Sequence, residues 1–141
     1  MIYIFDASFV GALIIPDEKK PHADDLYFKI ENTDEKCTPN LLWYEITNIF
    51  KNLIRRKRYT IEEVLQFFPL LSAIRLTTDF TSGVDYSQKI FNLCNSFNLS
   101  SYDAAYLELA ERKKAVFCTF DDNLKDAAKK AGVKILEACN N

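Results

Sequence analysis

Two short apolar runs, each ending in acid, mark this chain. IYIF at 2–5 leads into Asp6, and AVFCTF at 115–120 leads into Asp121 and Asp122. Runs this short, rich in β-branched and aromatic residues, predict buried strands. After the first, Ser8 is placed to cap a short helix over FVGALI that stops near Pro16. Pro21 to Ile30 predicts a second helix, and Lys36 to Thr38 a strand that Pro39 breaks. Leu42, Ile46, Ile49, Phe50 and Leu53 recur at helical spacing, so Asn40 to Arg58 predicts an amphipathic helix. Thr60 and Glu63 carry the two halves of a capping box at the head of TIEEVLQFFPLLSAI, and Pro69 inside it predicts a break. Arg75 to Thr78 reads as a short strand, and Asp85 to Phe97 as a helix. Asp122 to Ala131 is a further helix closed by Gly132, followed by a last strand over VKIL at 133–136.

The segment opened by Ser100, SSYDAAYLELA, poses a question. At 100° per residue, Asp103 shares a face with Tyr106, Leu107 and Ala110, while Glu108, Arg112 and Lys113 fall mostly on the opposite side. A carboxylate within an apolar stripe is expensive unless something compensates its charge.

Strands and helices alternate along the whole length, which predicts an α/β fold: a three-layer α/β/α sandwich around a central, mainly parallel sheet. The 141 residues fit one domain spanning 1–141, and 48% hydrophobic residues supply a core. No apolar run approaches the roughly 18 residues of a membrane span. MIYIFDAS lacks the basic start and small-residue cleavage site of a signal peptide, so a cytoplasmic protein is expected.

Composition narrows the chemistry. With 18 basic and 20 acidic residues the formal charge is -2, so binding to nucleic acid would need a local patch. Cys37, Cys94, Cys118 and Cys139 form no CxxC pair, and His22 is the single histidine, which removes zinc spacing. Cys118, inside an apolar run, reads as a buried free thiol. Three glycines cannot build a GxGxxG loop or a P-loop, and no Ser/Cys–His arrangement suggests itself. The working groups of an enzyme here would be carboxylates.

In doubly wound sheets, ligands bind beyond the carboxyl ends of the strands. Asp6 and Asp121 stand at two such ends, either as site groups or as turn and cap residues. Glu45 flanks the apolar stripe of its helix beside Asn48, Asn52 and Arg56, facing either a cleft or solvent. Asp103 is either the acidic partner of Ser100 in a capping box or a group bordering a polar site. Four carboxylates on one cleft repel one another, and a divalent cation removes the conflict. Oxygen-only ligands favour Mg²⁺ or Mn²⁺, and phosphodiester hydrolysis is the chemistry that follows. The densest basic cluster is RRKR at 55–58: Arg55, Arg56, Lys57 and Arg58 either hold RNA phosphates or form a solvated helix end.

DAS at 6–8, PNLLWYEITN at 39–48, SYDAAYLELA at 101–110 and TFDDNL at 119–124 together resemble the PIN domain, and more specifically the VapC-type toxins of toxin–antitoxin pairs. The resemblance covers essentially the whole chain. It implies a metal-dependent endoribonuclease, with Asp6 and Asp103 as principal ligands of Mg²⁺ or Mn²⁺ and Glu45 and Asp121 completing the acidic set. Ser8 and Thr119 would be supporting hydroxyls that orient carboxylates. Of the adjacent acids, the family's pattern of Thr, apolar residue, Asp selects Asp121, with Asp122 either starting the next helix or substituting for it. The resemblance further implies a homodimer, a small antitoxin partner and structured RNA such as tRNA or rRNA as substrate. The apolar-rich stretch Thr60 to Ile74 is either a partner surface or core. Other readings are a nuclease acting on DNA and a module that binds RNA or protein without cutting. A phospho-receiver domain would want paired acids after its first strand, and a haloacid-dehalogenase phosphatase would want Asp where Ser8 stands.

Overall fold

The computed structural model describes residues 1–138 of the chain; Cys139 lies outside them. Four strands form one parallel sheet in the order β3-β2-β1-β4: β1 (Ile2–Phe5), β2 (Glu35–Pro39), β3 (Thr77–Asp79) and β4 (Val116–Cys118). The helices are α1 (Ala7–Ile14), α2 (Ala23–Phe28), α3 (Leu41–Arg55), α4 (Ile61–Leu65), α5 (Phe67–Ala73), α6 (Val84–Phe97), α7 (Ser101–Arg112) and α8 (Asp122–Lys130).

Parallel neighbours need right-handed crossovers, and this rule sorts the helices into layers. The chain steps from β1 to β2 to β3 in one direction, with α1 to α5 on one face; α1 packs against α2, α3 and α5. It then returns across the sheet to β4 by way of α6 and α7, which lie on the other face, where α7 packs against α6 and α8 as well as β1 and β2. The expected three-layer sandwich is what forms. Its direction of winding reverses between β1 and β4, so a crevice opens at their carboxyl ends. Phe5, Phe9, Leu42, Ile46, Tyr106, Leu107 and Phe117 fill the core and are almost fully buried.

Several boundaries move. The cap of α1 is Asp6 rather than Ser8: the Asp6 carboxylate accepts the Phe9 amide at 2.9 Å, freeing the Ser8 hydroxyl for other bonds. The helix expected from Pro21 begins two residues later, after His22 in a left-handed conformation (φ 68°). The capping box of Thr60 and Glu63 forms, and the helix behind it breaks at Gln66. Pro69 explains the position, since its ring excludes the carbonyl four residues back, at Leu65. The expected strand at 133–136 is reduced to one parallel bridge between Ile135 and Phe117, held by the Phe117 amide on the Lys134 carbonyl (2.8 Å) and the Leu136 amide on the Phe117 carbonyl (2.9 Å).

Candidate active site

Asp6 is the centre of the crevice. Extending β1 by one residue, its amide bonds the Cys118 carbonyl, and its side chain turns in to be only 4% exposed. Oδ1 accepts from the Ser8 hydroxyl (2.7 Å) as well as from the Phe9 amide, and Oδ2 accepts from the Thr119 hydroxyl. The Ser8 oxygen in turn accepts the Phe120 amide at 2.9 Å, and the Thr119 oxygen accepts the Asp121 amide at 3.0 Å. Ser8 and Thr119 thus pin the loop after β4 to the loop after β1, fixing Asp6 and Asp121 relative to each other. Asp121 caps α8 by accepting the Leu124 amide at 2.9 Å, and Asp122 is the first residue of that helix.

Asp103 lies in the first turn of α7, where Ser100 caps the helix by accepting the Asp103 amide at 3.2 Å. Ser100 supplies the cap through the Asp103 amide, no reciprocal capping-box bond from the Asp103 carboxylate to the Ser100 amide forms, and the Asp103 side chain is half-buried. Glu45, in the second turn of α3, accepts a 2.6 Å hydrogen bond from the Tyr106 hydroxyl. Tyr106 is the contributor that periodicity did not reveal. Its ring packs on Phe117 in the core while its hydroxyl reaches Glu45 across the crevice.

The acids feel one another. Burial pushes the Asp6 carboxyl up to about 6 against the pull of its three donors, and the Asp121 charge adds to the rise. Burial likewise raises Asp103, with Asp121 adding repulsion. Glu45 is raised by burial and by the charge of Asp103, while the Tyr106 hydrogen bond opposes the rise. Burial and the Glu45 hydrogen bond push the Tyr106 phenol far up, so it stays a donor at any physiological pH. Repulsion therefore links Glu45 to Asp103, Asp103 to Asp121, and Asp121 to Asp6.

Among the described residues, no three acidic, histidine or cysteine side chains are drawn together as a preassembled metal cage. The donor set nonetheless suits a hard cation: all oxygens, mutually repelling, with lone pairs still free on Asp6 Oδ2. Mg²⁺ typically takes one or two protein carboxylates directly and keeps waters for the rest, which this open arrangement allows.

The basic cluster lies elsewhere. α3 starts at the carboxyl edge of the sheet and runs back, so Arg55 stands about 15 Å along the helix from Glu45. At that far edge, Arg58 is engaged by Asp17 (3.0 Å) and Glu18 (3.2 Å), and the Arg55 side chain bonds Asn52 at 3.3 Å. Arg56 and Lys57 are exposed there. The four cations of 55–58 are not brought to the acids, because the topology sends the end of α3 to the opposite edge of the sheet.

The PIN domain family model matches residues 3–130. The chain belongs to the PIN domain family. Among curated relatives of this PIN domain, ribonuclease VapC3 of Pyrobaculum aerophilum is 27% identical over 133 residues, covering 89% of this chain and 94% of the relative. Solved structures share this fold, two of them toxins or toxin–antitoxin complexes by name. One is the sarcin–ricin-loop-cleaving toxin VapC20 of Mycobacterium tuberculosis, at TM-score 0.63 and 18% identity, covering 90% of this chain and 95% of the other. The second is VapBC-1 of nontypeable Haemophilus influenzae, at TM-score 0.63 and 13% identity, covering 96% of each chain.

Proposed function

We propose that this PIN domain, acting as one unit over 1–141, is a divalent-metal-dependent endoribonuclease and the toxin of a type II toxin–antitoxin pair. The observation that carries the reading is the linked repulsion of Glu45, Asp103, Asp121 and Asp6 at the topological switch of the sheet. Pairwise repulsion from Asp103 on Glu45 and from Asp121 on Asp103 and Asp6 is what a cation would relieve. The ribonuclease VapC3 and the toxin VapC20 support RNA as the substrate, and VapBC-1 supports a small antitoxin partner.

Asp6 and Asp103 would hold Mg²⁺ or Mn²⁺, with Glu45 and Asp121 acting through bound water. The cation supplies a Lewis acid at the phosphate and a lowered pKa for an attacking water. The chain's own residues do the rest. Ser8 and Thr119 fix the Asp6 carboxylate by donating to both oxygens, and Tyr106 fixes Glu45. Burial raises the carboxyls of Glu45 and Asp103, so each takes up a proton more readily than an ordinary carboxylate.

Asp103→Asn tests the site. Metal-dependent cleavage should fall at least about 100-fold, while the melting temperature in EDTA stays level or rises, because a repelling charge is gone. Cleavage retained with a lowered melting temperature would reduce Asp103 to a helix-start residue. Running single-stranded DNA beside RNA identifies the substrate. No helix among the described residues is long and apolar enough to cross a membrane, and the reading places the protein in the cytoplasm. It also includes a homodimer, with exposed Val84, Phe91 and Tyr102 around α6 and α7 as apolar surface that a second copy would cover. Light scattering checks this: a mass equal to that of one 16.3 kDa chain rejects the dimer.

A further inference from the structure

The 55–58 cluster stands at the opposite edge of the sheet from the acids, so cations beside the acids are the ones placed to meet RNA at the cut. A groove of about 570 Å³, between the start of α2 and the outer face of α8, has such cations in its lining. Leu26, Phe120 and Leu136 are among its lining residues, with Lys20, Lys125 and Lys129. Asp122 and Glu137 also line it, and Glu137 holds Lys129 at 2.6 Å. Among the described residues no ion pair ties down Lys20 or Lys125.

Phe120 and Asp122, which line the groove, flank Asp121 in the chain. Phe120 sits between Thr119 and Asp121, and its amide bonds Ser8, which bonds Asp6. Its ring stacks on Phe9 at 5.4 Å, and the Lys125 ammonium lies 5.6 Å from its centroid. Lys125 is one helical turn beyond Asp121, so a cation stands about 6 Å along the helix from an acid of the site. Aromatic Phe120 beside the cations Lys20 and Lys125 matches a nucleotide, whose base is flat and apolar-faced and whose phosphates are charged. The volume falls in the range of roughly 300–1,000 Å³ typical of small-ligand sites.

We propose that this groove is the RNA subsite next to the scissile bond: a base lies against Phe120 and Leu26, and Lys20 and Lys125 hold the neighbouring phosphates of the single strand. The proposal rests on the nuclease reading and deepens it by fixing the path of the substrate.

The test is fluorescence anisotropy with fluorescein-labelled oligouridylate in EDTA, where binding is read without cleavage, across a salt series. Lys20→Glu with Lys125→Glu should weaken binding at least about 10-fold and flatten the slope of log K against log salt by about 1.4, two single-strand phosphate contacts. Lys20→Gln with Lys125→Gln should shift both in the same direction by less, which covers a misfolded reversal variant. The groove is overturned if the wild type binds and cuts RNA while both double variants bind as well as it does. It is equally overturned if the loss appears in Arg56→Glu with Lys57→Glu instead. A wild type that neither binds nor cuts RNA sinks the nuclease reading and the groove together.

Discussion

Asp6 does three things with one carboxylate. It caps α1, it anchors the hydroxyls of Ser8 and Thr119, and it presents charge to the crevice. The folded state holds its pKa at about 6, well above an unfolded Asp near 4. A raised acid favours the protonated fold, so this contribution is fully present below about pH 4 and is lost as pH rises through 6. Metal-free protein should therefore lose roughly 1–3 kcal/mol from this residue between those limits. In Asp6→Asn the side chain remains a good helix cap, and the Thr119 hydroxyl can turn to accept from the amide. Denaturant melts in EDTA should show the variant more stable than the wild type at pH 7 and the gap closed at pH 4. A variant less stable at pH 7 would mean that the hydroxyl network outweighs the charge. Part of this was legible in the sequence, because an acid directly after a buried strand points to the carboxyl edge of a sheet. The exchange of capping roles was not: Ser and Asp are near-equal caps, and only the Thr119 and Phe120 contacts, over a hundred residues away, decide between them.

At the scale of elements, α7 shows where periodicity misleads. Ala104 through Ala110 are buried on every side, Glu108 included, because the sheet covers one face of the helix and α6 the other. A two-sided helix has no polar stripe to read. The side opposite Asp103 is spanned by a clamp. Arg112 binds Glu108 at 2.7 Å and Asp79, at the end of β3, twice at 3.0 Å. Glu108 has no surface to escape to, so removing its partner leaves a buried charge, and Arg112→Met should cost roughly 2–4 kcal/mol at pH 7. The Arg112 guanidinium holds the Asp79 carboxyl down to about 2. A depressed acid stabilises the fold above about pH 4 and loses that contribution as pH falls toward 2. The stability gap between wild type and variant should narrow across that window in urea melts. A gap that is constant with pH would show that packing of the Arg112 stem, not its charge, holds α7 to β3.

Over the whole molecule, the sequence carried the alternation, the strand ends and the four acids, and topology supplied what it could not. A cluster such as RRKR is visible in any reading of charge, yet which edge of the sheet it occupies depends on the direction of α3. That direction in turn follows from the right-handed return between parallel strands. The same topology leaves β4 with β1 on one side only. On its other side, the segment around Ile135 supplies a single bridge and two backbone hydrogen bonds. Too short to act as a strand, it serves as a guard rail. Were it peeled away, Val116–Cys118 would become an open, apolar strand border, a template for pairing with a second unfolding chain. Loss of this modest bridge would thus open a route to aggregation that is separate from the core and the chemistry.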